Sequence, residues 1–273
     1  MVQIIAHRGG LWPETTENTL AAFQRCVQKG IQWVEIDIRA SSDGELFISH
    51  DADLSRVAGM NRAIRSLTAH HIDRIPLYTG DSLTRLTTAL EEFPNAYFNV
   101  DIKDDFTVPA FIRFLQTTSW VSRLRVASFS AARLRGVRSA VPDVRSSLGV
   151  SEVGKLWVSS HMPRPLPRLL RPLVQLRRSR KSRLHQAHEA GMGRQGERLD
   201  TMRVPECVDA IQVPEYWGGI PVVTHRFLRE AHTANLEVHV WTVNDLVQAK
   251  RLYNMGVDGL VTDFPVKIRN ELI

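Results

Sequence analysis

Short apolar runs alternate along this chain with longer stretches whose apolar residues recur at helical spacing. The runs are Gln3 to His7, Trp33 to Ile38, Tyr97 to Ile102, Leu124 to Phe129, Val144 to Val150, Ala210 to Val213, Glu237 to Val243 and Gly259 to Thr262. Between them fall Thr19 to Lys29, Leu83 to Glu92, Val108 to Thr117, Ala131 to Ala140, His225 to Ala234 and Asp245 to Met255. Alternation of this kind predicts βα units around a parallel sheet. Ser130, Thr224 and Asn244 stand immediately before three of the helical stretches, as N-caps do. Eight strands with intervening helices predict an α/β fold, a TIM (β/α)8 barrel, and barrels routinely occupy 273 residues as one domain, here 1–273. A doubly wound open sheet is the alternative, but the G-x-G-x-x-G fingerprint is absent. No repeat occurs at solenoid spacing.

The stretch Trp33 to Asp51 concentrates the chemistry. Strand side chains alternate, so Glu35 and Asp37 share a face, about 6 to 7 Å apart, while Val34, Ile36 and Ile38 share the other. Two inward carboxylates repel each other and resist ionisation in a low dielectric, and a divalent cation with oxygen ligands relieves both effects. Ser41-Ser42-Asp43-Gly44 is a turn sequence and Leu46 to Ser49 the returning arm of a hairpin, which carries His50 back beside the carboxylates. An edge strand with a solvated acidic face is the plain alternative.

Barrel active sites lie at the C-terminal ends of the strands. There stand His7-Arg8-Gly9, Glu35 and Asp37, Asp101 and Lys103, Trp241 to Asn244, and Thr262-Asp263. Three carboxylates, two histidines, an arginine and a lysine at one rim would make a metal site with proton-transfer groups and fixed positive charge, a set suited to phosphoryl chemistry. Trp241 is a candidate substrate contact, lining a leaving-group pocket or filling the barrel top.

Charge changes the picture in one place. The net charge is +6, yet Arg164 to Arg183 holds eight basic residues and no acidic one, leaving the rest near neutral. This Pro/Arg-rich insert, at about 155–200, is expected between the sixth and seventh strands, on the active-site rim. Leucines interleave with its arginines, as in segments that lie on an anionic membrane surface; a solvated loop or a lid fits nearly as well. No aromatic residue interleaves there, so no nucleic acid partner is expected. His185, His188 and Glu189 form a weaker candidate metal set within the insert. Cys26 and Cys207 make neither a metal-spaced cluster nor a disulfide framework, no apolar window reaches membrane-span length, and the start carries no leader. The expectation is a cytoplasmic protein, at most peripheral to the inner membrane face.

The motifs AHRGG, ENTLAAF, VEIDI, DGELFISHD, NVDIK, HVWTVN and GVDGLVTDFP occur in one order from His7 to Pro265. In them the chain resembles the glycerophosphodiester phosphodiesterase family. The resemblance implies a TIM barrel like that of phosphatidylinositol-specific phospholipases C. It also implies hydrolysis of small-molecule glycerophosphodiesters, such as glycerophosphocholine or glycerophosphoethanolamine, to an alcohol and sn-glycerol 3-phosphate. By family pattern His7 and His50 are the general acid and base, Glu35 and Asp37 bind a divalent metal ion (Mg²⁺ or Ca²⁺), and Arg8 and Lys103 hold the phosphate. The third metal ligand, usually glutamate, is Asp101 here, one methylene shorter. The family's P-E-N-T appears as Pro13-Glu14-Thr15-Thr16-Glu17-Asn18-Thr19, a rearranged loop. Similarity to the wider superfamily implies attack by the substrate's own 2-hydroxyl through a cyclic phosphate. The rival readings are a lysophospholipase D acting at a membrane surface and a non-catalytic barrel binding anionic phospholipid head groups.

Overall fold

A computed structural model describes residues 2–161 and 205–273. In it the apolar runs become eight parallel strands: β1 (Gln3–His7), β2 (Trp33–Ala40), β3 (Tyr97–Ile102), β4 (Leu124–Ala127), β5 (Arg145–Ser147), β6 (Val208–Val213), β7 (Glu237–Val240) and β8 (Gly259–Thr262). Each pairs with its neighbours in sequence order, and β1 pairs with both β2 and β8, which closes the barrel. Helices α1 (Leu20–Gln28), α2 (Leu86–Glu92), α3 (Thr107–Thr117), α4 (Ala131–Ala140), α5 (Val150–His161), α6 (His225–Thr233), α7 (Leu246–Met255) and α8 (Pro265–Leu272) alternate with the strands. Thr19, Ser130 and Thr224 cap α1, α4 and α6 by accepting from the amides of Ala22, Arg133 and Phe227.

Several boundaries differ from expectation, among them the fourth run, which ends at Ala127 rather than Phe129. The fifth run stops being a strand at Ser147, and Val150 opens α5 instead. Glu152 causes this by accepting from the Gly149 amide at 2.8 Å, which satisfies a donor that the start of a helix leaves free. Gly149 also packs against α4, where an added Cβ would come within 2.7 Å of the Ala131 Cα. The seventh run ends at Val240, and α7 is capped by Asp245 rather than Asn244. Asn244 is engaged elsewhere, donating to Asp263 Oδ2 at 2.6 Å and accepting from the Asp263 amide. Finally, the basic segment Arg164 to Arg183 falls between β5 and β6 in chain order, not between the sixth and seventh strands. That segment, with His185, His188 and Glu189, lies outside the described residues.

The predicted hairpin positions His50. β1 pairs with Trp33 to Glu35 of β2 and then leaves the sheet; the arm Leu46–Ile48 takes over the vacated edge antiparallel to Ile38–Ala40. Ser49 donates its amide to the Asp37 carbonyl at 2.8 Å, so the next residue emerges beside the acidic face. Residues 54–83 then pack a small core of their own, with Phe47, Leu54, Ile64 and Ile72 fully buried.

Val34, Ile36 and Ile38 pack outward under the helices, as the strand alternation requires. Inward, the N-terminal end of the barrel is closed by an unexpected charged plug. Arg125 is fully buried, with Asp209 at 3.0 Å, Glu237 at 2.8 Å and its guanidinium 4.9 Å from the Trp33 ring centroid. Trp33 in turn stacks on Tyr97 at 5.0 Å. His239 fills the axis above, and an added Cβ at Gly259 would lie 2.6 Å from its ring, so only glycine fits there.

Arg125→Ala removes a fully buried partner, but Asp209 keeps Arg145 and Glu237 is about half exposed, so the expected cost is about 1–3 kcal/mol, read as a lower denaturant midpoint. The cluster also sets an acid limit. The hydrogen bond from His239 holds Glu237 down to about 2, and burial holds His239 below its ordinary value. Both groups bind fewer protons folded than unfolded, so their stabilisation is lost as pH falls from about 6.5 toward 2.

Candidate active site

At the end of β1 the backbone turns sharply through Arg8, Gly9 and Gly10, at φ of 50°, 86° and 83°. A Cβ at Gly9 would sit 2.6 Å from the Phe23 ring, so glycine is required where the chain passes over α1. The turn aims the Arg8 amide at Glu35 Oε2, 3.1 Å away, and sets its guanidinium beside Asp37 Oδ2 (3.2 Å) and Glu17 Oε1 (2.9 Å). Glu17 and Asn18, in the rearranged loop, support the site from behind. Glu17 also accepts from Arg56, and Asn18 donates to Asp37 Oδ2 at 3.1 Å.

Both predicted histidines are held by an aspartate. His7 Nδ1 lies 2.6 Å from Asp263 Oδ1 at the end of β8, leaving Nε2 toward Glu35 at 4.0 Å. Burial opposes the imidazolium, but the hydrogen bond to Asp263 and the charge of Glu35 outweigh it and raise His7 above its ordinary value. His50 Nδ1 lies 2.8 Å from Asp51 Oδ1, and Arg56 holds Asp51 from the other side. An ionised aspartate on Nδ1 keeps the proton there and leaves Nε2 as the exchanging nitrogen. Arg39 adds a backbone clamp, donating to the His50 carbonyl at 2.9 and 3.1 Å and to Asp104 at 2.6 Å.

The acidic side chains meet as strand geometry predicts, Asp37 and Asp101 being direct neighbours in the β2–β3 register. Burial, aided by Asp37, pushes Glu35 up to about 8. Burial also raises Asp101, whereas Lys103 and Arg8 together overcome burial at Asp37 and lower it. Lys103 Nζ bridges Asp37 Oδ1 and Asp101 Oδ2, each at 2.9 Å, rather than projecting freely toward a phosphate. Among the described residues, no three histidine, cysteine or acidic side chains converge closely enough to hold a metal ion in this arrangement.

The donor set nevertheless fits a hard cation. Asp101 Oδ1 is buried and makes no hydrogen bond among the described residues, and burial together with the charge of Asp37 keeps Glu35 from ionising readily despite His7 nearby, so the three carboxylates would accommodate positive charge beyond that of Arg8 and Lys103. Hard divalent ions take such all-oxygen sets.

His7, Arg8, Glu35, Asp37, His50, Asp101, Lys103 and Trp241 all line one cleft of about 540 Å³. Trp241 packs edge-on against Phe129 at 5.5 Å, and both line the cleft. Sequence reasoning did not assign roles to Asp263, Asp51, Arg39 or Arg56. The signal for Asp51 was its place beside His50; Asp263 ends a strand at the same rim as His7, though 256 residues away.

The description "Glycerophosphoryl diester phosphodiesterase family" belongs to a family model that matches residues 7–152 and 172–267. The "Probable glycerophosphodiester phosphodiesterase 2" of Mycobacterium tuberculosis is 28% identical over 98% of this chain and 90% of its own length. The mouse protein "Lysophospholipase D GDPD3" is 34% identical over 99% of this chain and 82% of its own. Among solved structures, an Oleispira antarctica phosphodiesterase in complex with the product sn-glycerol-3-phosphate matches with a TM-score of 0.70 at 22% identity, covering 99% of this chain and 96% of that one. Its likeness is one of fold. The family model spans most of the chain, including every motif residue gathered at this rim, and the chain therefore belongs to the glycerophosphoryl diester phosphodiesterase family.

Proposed function

We propose that this chain is a metal-dependent phosphodiesterase that hydrolyses glycerophosphodiesters to an alcohol and sn-glycerol 3-phosphate. The observation that carries the reading is two histidines, each oriented by an aspartate, in the same cleft as three buried carboxylates, an arginine and a lysine. Glu35, Asp37 and Asp101 would hold a divalent ion such as Mg²⁺ or Ca²⁺, which when bound supplies Lewis-acid stabilisation of charge on the phosphate.

The rest of the chemistry falls to the chain. Arg8 and Lys103 provide fixed positive charge for the non-bridging phosphate oxygens. One histidine Nε2 takes the proton of the attacking hydroxyl, and the other donates one to the departing alcohol oxygen. The proposed nucleophile is the glycerol 2-hydroxyl, which gives a cyclic phosphate that water then opens with the histidines' roles exchanged. Asp263 and Asp51 keep both rings turned for this transfer. Trp241 and Phe129, packed edge-on in the same cleft, would shield part of it from water.

We also read residues 1–273 as one barrel domain and the protein as cytoplasmic. Support comes from Cys26 and Cys207, which are free, and from the described helices, none of which is long and apolar enough to cross a membrane. Composition alone supports an anionic membrane contact through Arg164 to Arg183. Turnover separates the enzyme readings from the binding barrel. ³¹P NMR of the purified chain with glycerophosphocholine and Mg²⁺ should show sn-glycerol 3-phosphate with choline released. Phosphocholine as the product would refute the cleavage site, and no product with any glycerophosphodiester would favour a binding barrel.

A further inference from the structure

Asp263 is held on both of its carboxylate oxygens. Oδ1 lies 2.6 Å from His7 Nδ1, and Oδ2 accepts from the Asn244 carboxamide at 2.6 Å. Asn244 is fixed in turn from its other side, where its carboxamide oxygen accepts from the Asp263 amide at 2.9 Å and from the Thr262 hydroxyl at 3.1 Å. Thr262 is fully buried, and its hydroxyl oxygen accepts from the Phe264 amide at 3.1 Å. A carboxylate only accepts and a backbone N–H only donates, so the Asn244 nitrogen must face Asp263 and its oxygen the main chain. Two main-chain bonds complete the frame: the Val243 amide donates to the Val261 carbonyl at 2.8 Å, and the Leu11 amide to the Asp263 carbonyl at 2.7 Å.

The arrangement meets a mechanical need. The last torsion of an aspartate is broad and roughly two-fold, so a carboxylate bonded only to an imidazole can turn together with the ring that it is meant to hold. A donor on the second oxygen fixes its plane. The other histidine has a different solution, for Asp51 Oδ2 is held at 2.5 Å by Arg56, a cation that is 52% exposed. A neutral carboxamide leaves the charge of Asp263 facing His7, whereas the Arg56 guanidinium takes a share of that of Asp51. Asn244 does not cap α7, a task that falls to Asp245, and it does not line the cleft.

We propose that Asn244 is a positioning residue for proton transfer at His7: by fixing the plane of the Asp263 carboxylate it keeps the Nδ1 proton in place and Nε2 turned into the cleft, with Thr262 holding Asn244 from behind. It acts through Asp263 and touches no reacting atom. The inference rests on the phosphodiesterase reading, in which His7 moves a proton, and adds the group on which the orientation of that ring depends.

A hydrogen bond to a charged group shifts an equilibrium roughly tenfold to a hundredfold, so Asn244→Ala should lower kcat for glycerophosphocholine by about that factor. KM and the affinity for Mg²⁺ should not change. Thr262→Val, similar in shape, should lower kcat less and in the same direction. The double variant separates positioning from mere structure. In the His7→Ala background the ring to be positioned is gone, and adding Asn244→Ala should cost no further activity, because residues that act as a unit are not additive. A structural defect would instead multiply the two losses.

A second readout needs neither substrate nor turnover. The His7 Nδ1 proton, shared with Asp263 over 2.6 Å, should give a far-downfield proton NMR signal that His7→Ala removes. Asn244→Ala should move that signal or broaden it through faster exchange with water, and leave its His50 counterpart in place. Wild-type kcat in Asn244→Ala overturns the proposal; so does an unmoved signal, and so does a fall in kcat as large in the His7→Ala background as in wild type. A moved signal in a protein that hydrolyses no glycerophosphodiester upholds the link from Asn244 to His7 and overturns the phosphodiesterase reading.

Discussion

Alanine at His7 or at His50 is expected to lower kcat about 10²–10⁴-fold, the usual cost of losing a general acid or base. KM and the affinity for a divalent ion should change little, because neither ring is needed to bind the phosphate. The Nδ1 contacts make the claim more specific. Asp263→Asn keeps the shape of the His7 partner but removes the charge that raises the ring. The kcat limb belonging to His7 should therefore move to lower pH, and kcat should fall by up to the roughly 10⁴-fold known for a histidine freed into the wrong tautomer. Steady-state kinetics across pH check both statements. Near wild-type kcat in either alanine variant removes that histidine from proton transfer, and an unmoved pH limb in Asp263→Asn reduces Asp263 to packing.

The second large effect lies with the carboxylates. Glu35→Gln and Asp101→Asn should each weaken divalent-ion binding by more than the 10–100-fold that loss of a supporting partner costs, whereas Asp101→Glu should retain it. The sign of the pH dependence follows from Glu35. Without the ion, burial and Asp37 raise it to about 8, so the ion must displace a proton when it binds below that pH. Calorimetric affinity should thus increase as pH rises toward 8 and level off above it, with heats that depend on the buffer's ionisation enthalpy. In Glu35→Gln this proton release should disappear. Equal affinity for wild type and Asp101→Asn would remove Asp101 from the ligand set.

What was legible in the sequence is what period-two alternation and local motifs encode. β1, β3 and β8 begin and end where the apolar runs do, and Glu35, Asp37, Asp101 and Lys103 share a face because residues two apart on a strand must. α5 was not legible, since Gly149 and Gly154 break the helical pattern and its capping carboxylate, Glu152, lies inside it. Arg125 was invisible for another reason: an arginine within an apolar run reads as exposed unless Asp209 and Glu237, 84 and 112 residues away, are known to surround it. A still longer separation, 256 residues, hid the His7–Asp263 pair. Asn244 shows how a cap signal misleads, because a better acceptor, Asp245, follows it and a tertiary partner claims it.

The most direct test of the central claim is the rate of glycerophosphodiester hydrolysis as a function of free divalent ion, from excess chelator to saturation, in wild type and in Asp101→Asn. The account predicts no measurable turnover in chelator, recovery on adding Mg²⁺ or Ca²⁺, and a half-saturation point displaced to higher ion concentration in the variant. Hydrolysis that continues unchanged in excess chelator would contradict it.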